Sequence, residues 1–464
     1  MRDRPMQSVL YAIVLAGVLA SAVQGRELCG DVDYTITDSL MVDTEGEFDA
    51  FIRCVVTGDF NNDGFPDIAA SDRFDDDILI QLNDKNGGFV EGPSLHATGA
   101  QWNRIILSED FNGDGWPDLA SSSFGGLIVS LNLGAGESML WLGFGPPVLY
   151  ASGTDPHWVD SADLDQDGDM DLLVADHGLI GMLGGYYYFL NQGDGAFDEG
   201  VFVSLGLDAR CYSIVGEDLD GDSFPEIVVV SSRLEDPMVF CFTNAGLNEE
   251  NQWGGLYYDT IHLIEYGACS IRAADFNADG HQDLVICHRT RPQMTLLHND
   301  GTGGLVLSNH VIPLSAELAE PLDADQDGLP DIGIVIKDLN QIKIFVNEGD
   351  GTFTSEETME TGFGPKFLAV ADFDLDGAPD VVSADSQPGF DWGTLTVHRN
   401  STANVEKTCE GDISCDGTIG VDDLLGVISG WGSMSGHPGD INLDGIVGVD
   451  DLLLIVSWWG PCEP

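Results

Sequence analysis

Positive charge is what this chain most lacks: 17 lysines and arginines stand against 79 aspartates and glutamates in 464 residues, a formal charge of -62. That imbalance excludes binding of a phosphate backbone by the surface as a whole and makes a cation the obvious partner. Long apolar runs are missing too, since beyond the N-terminus no segment approaches the ~20 apolar residues that a spanning helix requires. There is no nucleophile elbow, zinc motif or phosphate loop, so no known catalytic motif offers itself. Cysteines are few and odd in number: nine, which in an exported chain leaves at least one unpaired or bonded between chains.

At the N-terminus Arg2 and Arg4 precede the run VLYAIVLAGVLASAV, with small residues at Ala20 and Ala22. This pattern predicts a secretory signal peptide over residues 1–25, cleaved after Ala22 or Gly25, and a secreted or cell-surface-attached product. A retained anchor is the alternative.

What the chain has in abundance is one acidic pattern. Residues 59–67 read DFNNDGFPD, with Asp59, Asn61, Asp63 and Asp67 at positions 1, 3, 5 and 9 and Gly64 at position 6. So many carboxylates in one turn repel each other unless a cation sits among them. Hard oxygen donors at alternating positions suit Ca²⁺, and glycine at position 6 permits the sharp turn.

Six further copies follow, starting 51, 53, 55, 57, 48 and 49 residues apart. Their candidate ligands are Asp110, Asn112, Asp114 and Asp118; Asp163, Asp165, Asp167 and Asp171; Asp218, Asp220, Asp222 and Glu226; Asp275, Asn277, Asp279 and Asp283; Asp323, Asp325, Asp327 and Asp331; and Asp372, Asp374, Asp376 and Asp380. A near-constant period of this size marks a propeller or solenoid. The fourth copy departs from the pattern, with Ser223 for glycine and Glu226 for aspartate.

β-Branched, apolar runs such as IRCVVTGD and EIVVVSS flank each loop, without the 3.6-residue spacing of a helix. A third strand ends in an Asn-Gly type turn, as in YYYFLNQGDGAF and IKIFVNEGDGTF, and a fourth leads onward. Four strands per repeat is one propeller blade. The seventh repeat lacks its fourth strand, and residues 33–45 resemble a fourth strand with no blade of its own. The expectation is that they complete blade seven and close the ring, leaving no open edge.

The motif D-x-[DN]-x-D-G-x-x-D between strands, followed by N-x-G-D-G-x-F, resembles the FG-GAP/VCBS repeat of integrin-like β-propellers over residues 33–400. The resemblance implies an all-β, seven-bladed β-propeller over residues 26–400 whose position 1, 3, 5 and 9 residues are direct calcium ligands.

A second duplication follows the linker 401–408. GDISCDGTIGVDDLLGVISGWG and GDINLDGIVGVDDLLLIVSWWG put acids at positions 1, 5 and 12 (Asp412, Asp416 and Asp423; Asp440, Asp444 and Asp451), with Ser414 or Asn442 at position 3. Apolar residues then space helically, like half an EF-hand. Residues 409–464 resemble a type I dockerin module, which implies a small α-helical unit docking on a cohesin-like or cell-surface scaffold. Gly420 and Gly448 stand where asparagine is usual in that family. Leu424, Leu425, Leu453 and Trp459 could serve its core or its docking face, and about nine Ca²⁺ sites are expected in all. Cys409, Cys415 and Cys462 gather here as a candidate staple, whereas Cys54, Cys211 and Cys269 on equivalent strands read as buried apolar residues.

Six residues before each propeller loop stand Arg53, Arg104, His157, Tyr212, Cys269, Glu317 and Lys366, at the mouth of the innermost strand. Connections nearby add Arg73, Arg210, Arg233, Arg289, Arg291 and Lys337, with Phe74, Trp102, Trp158 and Trp392. Scarce bases gathered at one mouth predict a funnel for an anionic polysaccharide or protein, with Arg53, Arg104, His157, Tyr212 and Lys366 as its ligand-binding residues. The alternative is a solvated polar funnel. The function expected is a noncatalytic recognition or adhesion module without nucleic-acid partner or membrane span; a polysaccharide lyase or glycoside hydrolase on the same scaffold is the second possibility.

Overall fold

The computed structural model describes residues 34–42 and 51–400, less 74–75, 97–102, 137, 139, 180, 233–236, 249, 251, 313–314, 350–351 and 387–392. It also describes 418–419, 424, 427–428, 447–457 and 460–461. The expected signal peptide, the linker 401–408 and most of the C-terminal module therefore lie outside the described residues, as do Phe74, Trp102, Arg233 and Trp392.

Each acidic loop joins a first strand to a second that opens with the loop's position 9 acid, as in Ile52–Gly58 and Asp67–Asp72 or Cys211–Glu217 and Glu226–Ser231. Every second strand is buried along its whole length. It lies between neighbouring blades, covered on both faces, which is why these segments read as continuous apolar runs rather than alternating ones. Fourth strands such as Val201–Leu207 and Leu256–Leu263 form the outer edges and are largely exposed.

Seven antiparallel sheets follow one another along the chain, blade one gaining a short extra strand, Leu95–His96. Six are consecutive in sequence. The seventh pairs Pro365–Ala371, Asp380–Asp385 and Gly393–Asn400 with the N-terminal strand Tyr34–Val42. The register runs from Tyr34 opposite Asn400 to Val42 opposite Gly393. Residue 33 and residues 43–45 of the expected closing strand lie outside the described residues. Tyr34 locks the joint by donating from its hydroxyl to the Pro379 carbonyl at 2.8 Å.

Cys54, Cys211, Cys241, Cys269 and Cys287 are buried free thiols, packed as small apolar residues. Of the C-terminal residues, Val449–Ser457 forms a helix, and Thr418–Ile419 pairs with Gly460–Pro461. Val427, Val447 and Ile455 are buried together, Leu424 packs against them and Leu453 stays exposed. Leu425, Trp459, the three C-terminal cysteines and the candidate ligands Asp412, Ser414, Asp416, Asp423, Asp440, Asn442 and Asp444 are not among the described residues, and the side chain of Asp451 is not described. No described helix is long and apolar enough to cross a membrane.

Candidate functional site

The acidic loops brace themselves before any ion enters. In the first, Asp59 accepts from the Asp63 amide at 2.8 Å and the Gly64 amide at 2.7 Å, and Asp63 accepts from Phe65 at 3.1 Å. Positions 4 and 6 take left-handed backbone in all seven loops, non-glycine residues such as Asn62, Gln166 and Leu375 included. Asx turns of this kind tolerate that conformation at position 4. The fourth loop holds Ser223 at φ 76 where the other six have glycine, yet Asp218 still accepts from the Ser223 amide at 2.8 Å.

The position 9 acid is buried and works inside the blade. Asp67 accepts from the Phe60 amide at 3.1 Å and from the Asn83 amide at 2.8 Å, tying the loop to the third strand. Glu226 makes the equivalent pair with Leu219 and Asn244. Burial, reinforced by the other loop carboxylates, pushes Asp67, Asp118, Asp171 and Glu226 up to about 7, and Asp331 up to about 8.

In four loops three acids come within reach of one ion: Asp163, Asp165 and Asp171; Asp218, Asp220 and Glu226; Asp323, Asp325 and Asp331; Asp372, Asp374 and Asp380, with oxygens within 4.8 Å of one another. The first, second and fifth loops carry Asn61, Asn112 and Asn277 at position 3 instead of a third acid. Four oxygens at positions 1 and 3, on Asn61, Asp163, Asp165 and Asp323, are buried without any hydrogen-bond donor. A buried oxygen without a donor costs ~1–3 kcal/mol. The donor set, hard oxygens including these orphans, fits a divalent cation such as Ca²⁺.

Sequence reasoning assigned the asparagine that follows the third strand only to a turn. In every blade its side-chain amide reaches into the neighbouring blade. Asn132 donates to the Phe60 carbonyl, Asn191 to Phe111, Asn244 to Leu164, Asn299 to Leu219, Asn347 to Phe276 and Asn400 to Ala324, at 2.7 to 2.9 Å. The acceptor is always position 2 of an acidic loop. The acidic loops are thus positioned by the blade beside them, and the signal was the asparagine's fixed place in each repeat.

At the opposite ends of the first strands, ~20 Å away at strand rise, an axial pocket opens. It is lined by Arg53, His157, Cys269, Glu317 and Lys366 together with Arg289, over Ile105, Trp158, Leu318 and Phe367. Five of the seven innermost-strand positions singled out from sequence meet here. Arg104 and Tyr212 stand beside them: Arg104 donates to Asp155 at 2.6 Å, and Asp155 also lies 3.2 Å from His177 Nδ1. Tyr212 packs edge-on to both His157 and His177. Trp158 belongs to the strand Pro156–Ala162 and is buried, so it is part of the pocket's floor rather than of a loop.

Glu317 is the acid that tempers the cations. Arg289 Nε lies 2.8 Å from one of its oxygens and Lys366 Nζ 3.8 Å from the other. Burial pushes Glu317 up, but Arg289, Lys366 and Arg53 outweigh it and hold it below the usual carboxylate range. Arg53 has no carboxylate at ion-pair distance among the described residues. Burial and then Arg289 bring it down to about 10, so it stays charged at neutral pH. Lys366 is brought down to about 7 by burial, against the pull of Glu317. His157 is held neutral by burial and by Arg104 and Arg53.

The model of the FG-GAP-like repeat matches residues 59–121, 110–174 and 323–383. No curated protein matches the chain. Among solved structures, BBS1N in complex with ARL6DN, soaked with lead, is 12% identical, with a TM-score of 0.53, covering 80% of this chain and 98% of that one. An Agrocybe aegerita structure concerned with specific recognition of non-reducing terminal N-acetylglucosamine is 17% identical, with a TM-score of 0.45, covering 68% of this chain and 81% of that one. At such identities the likeness to BBS1N speaks for the fold alone. The chain is a seven-bladed β-propeller carrying FG-GAP-like repeats.

Proposed function

We propose that this chain is an exported, noncatalytic recognition module: a calcium-loaded propeller that binds an anionic ligand in its axial pocket and attaches to a scaffold or cell surface through residues 409–464. The observation that carries the reading is the charge around the pocket. Arg53, Arg289 and Lys366 face it with Glu317 as the only acid among its described lining residues, in a chain of formal charge -62. Cations are buried together at a cost unless something offsets them, and the one acid is already shared by two of them. An anion entering the pocket would find Arg53 free to bond. Calcium in the loops of the far rim supports this by holding the blades in register.

The test is binding of acidic polysaccharide to the parent and to the Arg53→Ala, Lys366→Ala double variant. Loss of about tenfold or more in affinity, with an unchanged melt, is expected, since a charge-assisted hydrogen bond contributes ~1.5–3 kcal/mol. Equal binding by both proteins refutes the reading.

A second reading, polysaccharide lyase, rests on a separate observation. The Asp155 carboxylate beside His177 Nδ1 orients an imidazole next to Tyr212 and neutral His157, close to cations that could hold a uronate carboxylate. Growth of unsaturated-product absorbance on incubation with uronate-rich polysaccharide would establish it and remove the word noncatalytic.

A further inference from the structure

The outer half of blade five carries side chains that neither the acidic loops nor the axial pocket uses. Its third strand, Gln293–Asn299, pairs with the outermost one, Leu305–Val311, so that His298 stands opposite Val306, Leu296 opposite Ser308 and Met294 opposite His310. Alternation along the strands puts His298, Ser308 and His310 on one face, with Ser308 on the rung between the two rings. Both rings turn to it. His298 Nε2 lies 3.2 Å and His310 Nε2 3.4 Å from the Ser308 hydroxyl oxygen, and all three residues are partly exposed.

The other side of His298 is held from within the blade. Its Nδ1 lies 3.4 Å from the buried carboxylate of Asp283, the position 9 acid of the fifth loop. A carboxylate only accepts, so the neutral ring carries its proton on Nδ1 and turns the Nε2 lone pair towards Ser308. Metal-ligating histidines are held in this way, with a carboxylate behind one ring nitrogen and a free lone pair on the other. Burial, and then His298, lowers the pKa of His310 and favours the neutral ring that a metal requires.

The surroundings favour a cation here and disfavour one elsewhere. Asp283 has no ion-pair partner but His298 among the described residues, whereas the equivalent Asp380 of blade seven is held by Arg399 at 2.7 Å. His157 and His177 also lie together, with ring centroids 5.3 Å apart, but they stand near Arg104, Arg53 and Arg289, which repel a positive ion. Ligand type separates the site from the acidic loops as well. Imidazole nitrogen suits Zn²⁺, Cu²⁺ or Ni²⁺, while Ca²⁺ takes oxygen.

We infer that His298 and His310 hold a transition-metal ion of the Zn²⁺ class between their Nε2 atoms on the outer side of blade five, with Asp283 orienting His298. Coordination at ~2.0–2.1 Å brings each nitrogen about 1 Å closer to the centre than it now lies to the Ser308 hydroxyl, a shift that a turn of partly exposed rings supplies. Two protein ligands leave the remaining positions to water. The ion clips the outermost strand to the third at the edge where the sheet has no further strand.

The experiment uses the full chain with Ca²⁺ at saturation, so that oxygen sites are filled, and Zn²⁺ as the probe. In calorimetry, His298→Gln and His310→Gln should each lose or weaken one zinc equivalent by about tenfold or more, since even a partner behind a ligand contributes ~10–100-fold. His262→Gln, on the outer strand of the neighbouring blade, should bind as the parent does. A second measurement needs no variant: diethyl pyrocarbonate should modify His298 and His310 of the parent more slowly when zinc is present, with His262 as the unprotected reference, read by peptide mass spectrometry. Zinc binding unchanged in both histidine variants overturns the inference. So does zinc that is displaced when Ca²⁺ saturates the loops, or modification of His310 at one rate with and without zinc.

Discussion

Asn83 donates from its side-chain amide to the carbonyl oxygen of Phe373 at 2.8 Å, across 290 residues of chain. It is one of seven equivalent bonds, and it joins the first blade to the last. The same Asn83 donates from its backbone amide to the Asp67 carboxylate at 2.8 Å and from its side-chain amide to the Pro66 carbonyl at 3.2 Å. One asparagine thus links its own acidic loop to the loop of the adjacent blade.

Replacing one such residue in the middle of the ring tests the link. Asn191→Ala removes bonds to Phe111 and Met170 at 2.8 and 3.0 Å, and the Phe111 carbonyl lies at a blade boundary. A buried acceptor left without a donor costs ~1–3 kcal/mol, so denaturant unfolding should show a loss of that size. A stability equal to that of the parent would show the bond to be dispensable.

Ring closure gives a sharper outcome. Removing Tyr34–Val42 strips Gly393–Asn400 of its outer partner and leaves an open strand edge. An unpaired edge templates association, so the truncated protein should aggregate or dimerise on size-exclusion chromatography. Removing residues 409–464 should leave a monodisperse propeller.

Chelation addresses the acidic rim. A metal that binds only the folded state stabilises it by RT ln(1 + [L]/Kd), ~2.7 kcal/mol for one site at a hundred times Kd. Several loops acting together should therefore lower the melt strongly when Ca²⁺ is withdrawn and restore it when Ca²⁺ returns. A melt indifferent to chelator would remove the metal role from the orphan oxygens of Asn61, Asp163, Asp165 and Asp323.

The pocket's pH dependence follows from Lys366. Burial brings its ammonium down to about 7, with Glu317 opposing and Lys337 and Arg53 adding to the fall. A bound anion favours the charged form and raises that value. By linkage, affinity for acidic polysaccharide should be greatest below the value of the empty pocket and fall as pH rises through about 7. The Lys366→Met variant should show weaker binding that is flat over this range. An affinity rising with pH in the parent would place the ligand away from Lys366.

Much of this protein was legible because its information is local and repeated. Asp-x-Asn-x-Asp-Gly turns, Asn-Gly corners and apolar runs are decided by neighbours a few residues apart, so their recurrence from Asp59 to Asp372 gave the blade count, and the missing fourth strand of blade seven pointed to Tyr34–Val42. The single row of innermost-strand residues from Arg53 to Lys366 was visible for the same reason. Arg289 and Trp158 were also readable as neighbours of that mouth, and Trp158 and Phe367 share one place in their repeats, five residues before the acidic loop. What the spacing did not show is that Arg272, three residues before its loop, packs over both rings. Their meeting around the axis is set by ring closure, which turns one residue per blade towards a common centre and makes neighbours of side chains more than a hundred residues apart. Likewise Glu317 could be recognised as an acid in the row, but only the closed ring brought it to Arg289 and Lys366 while leaving Arg53 without a carboxylate at ion-pair distance among the described residues, because that choice depends on side-chain reach across the axis.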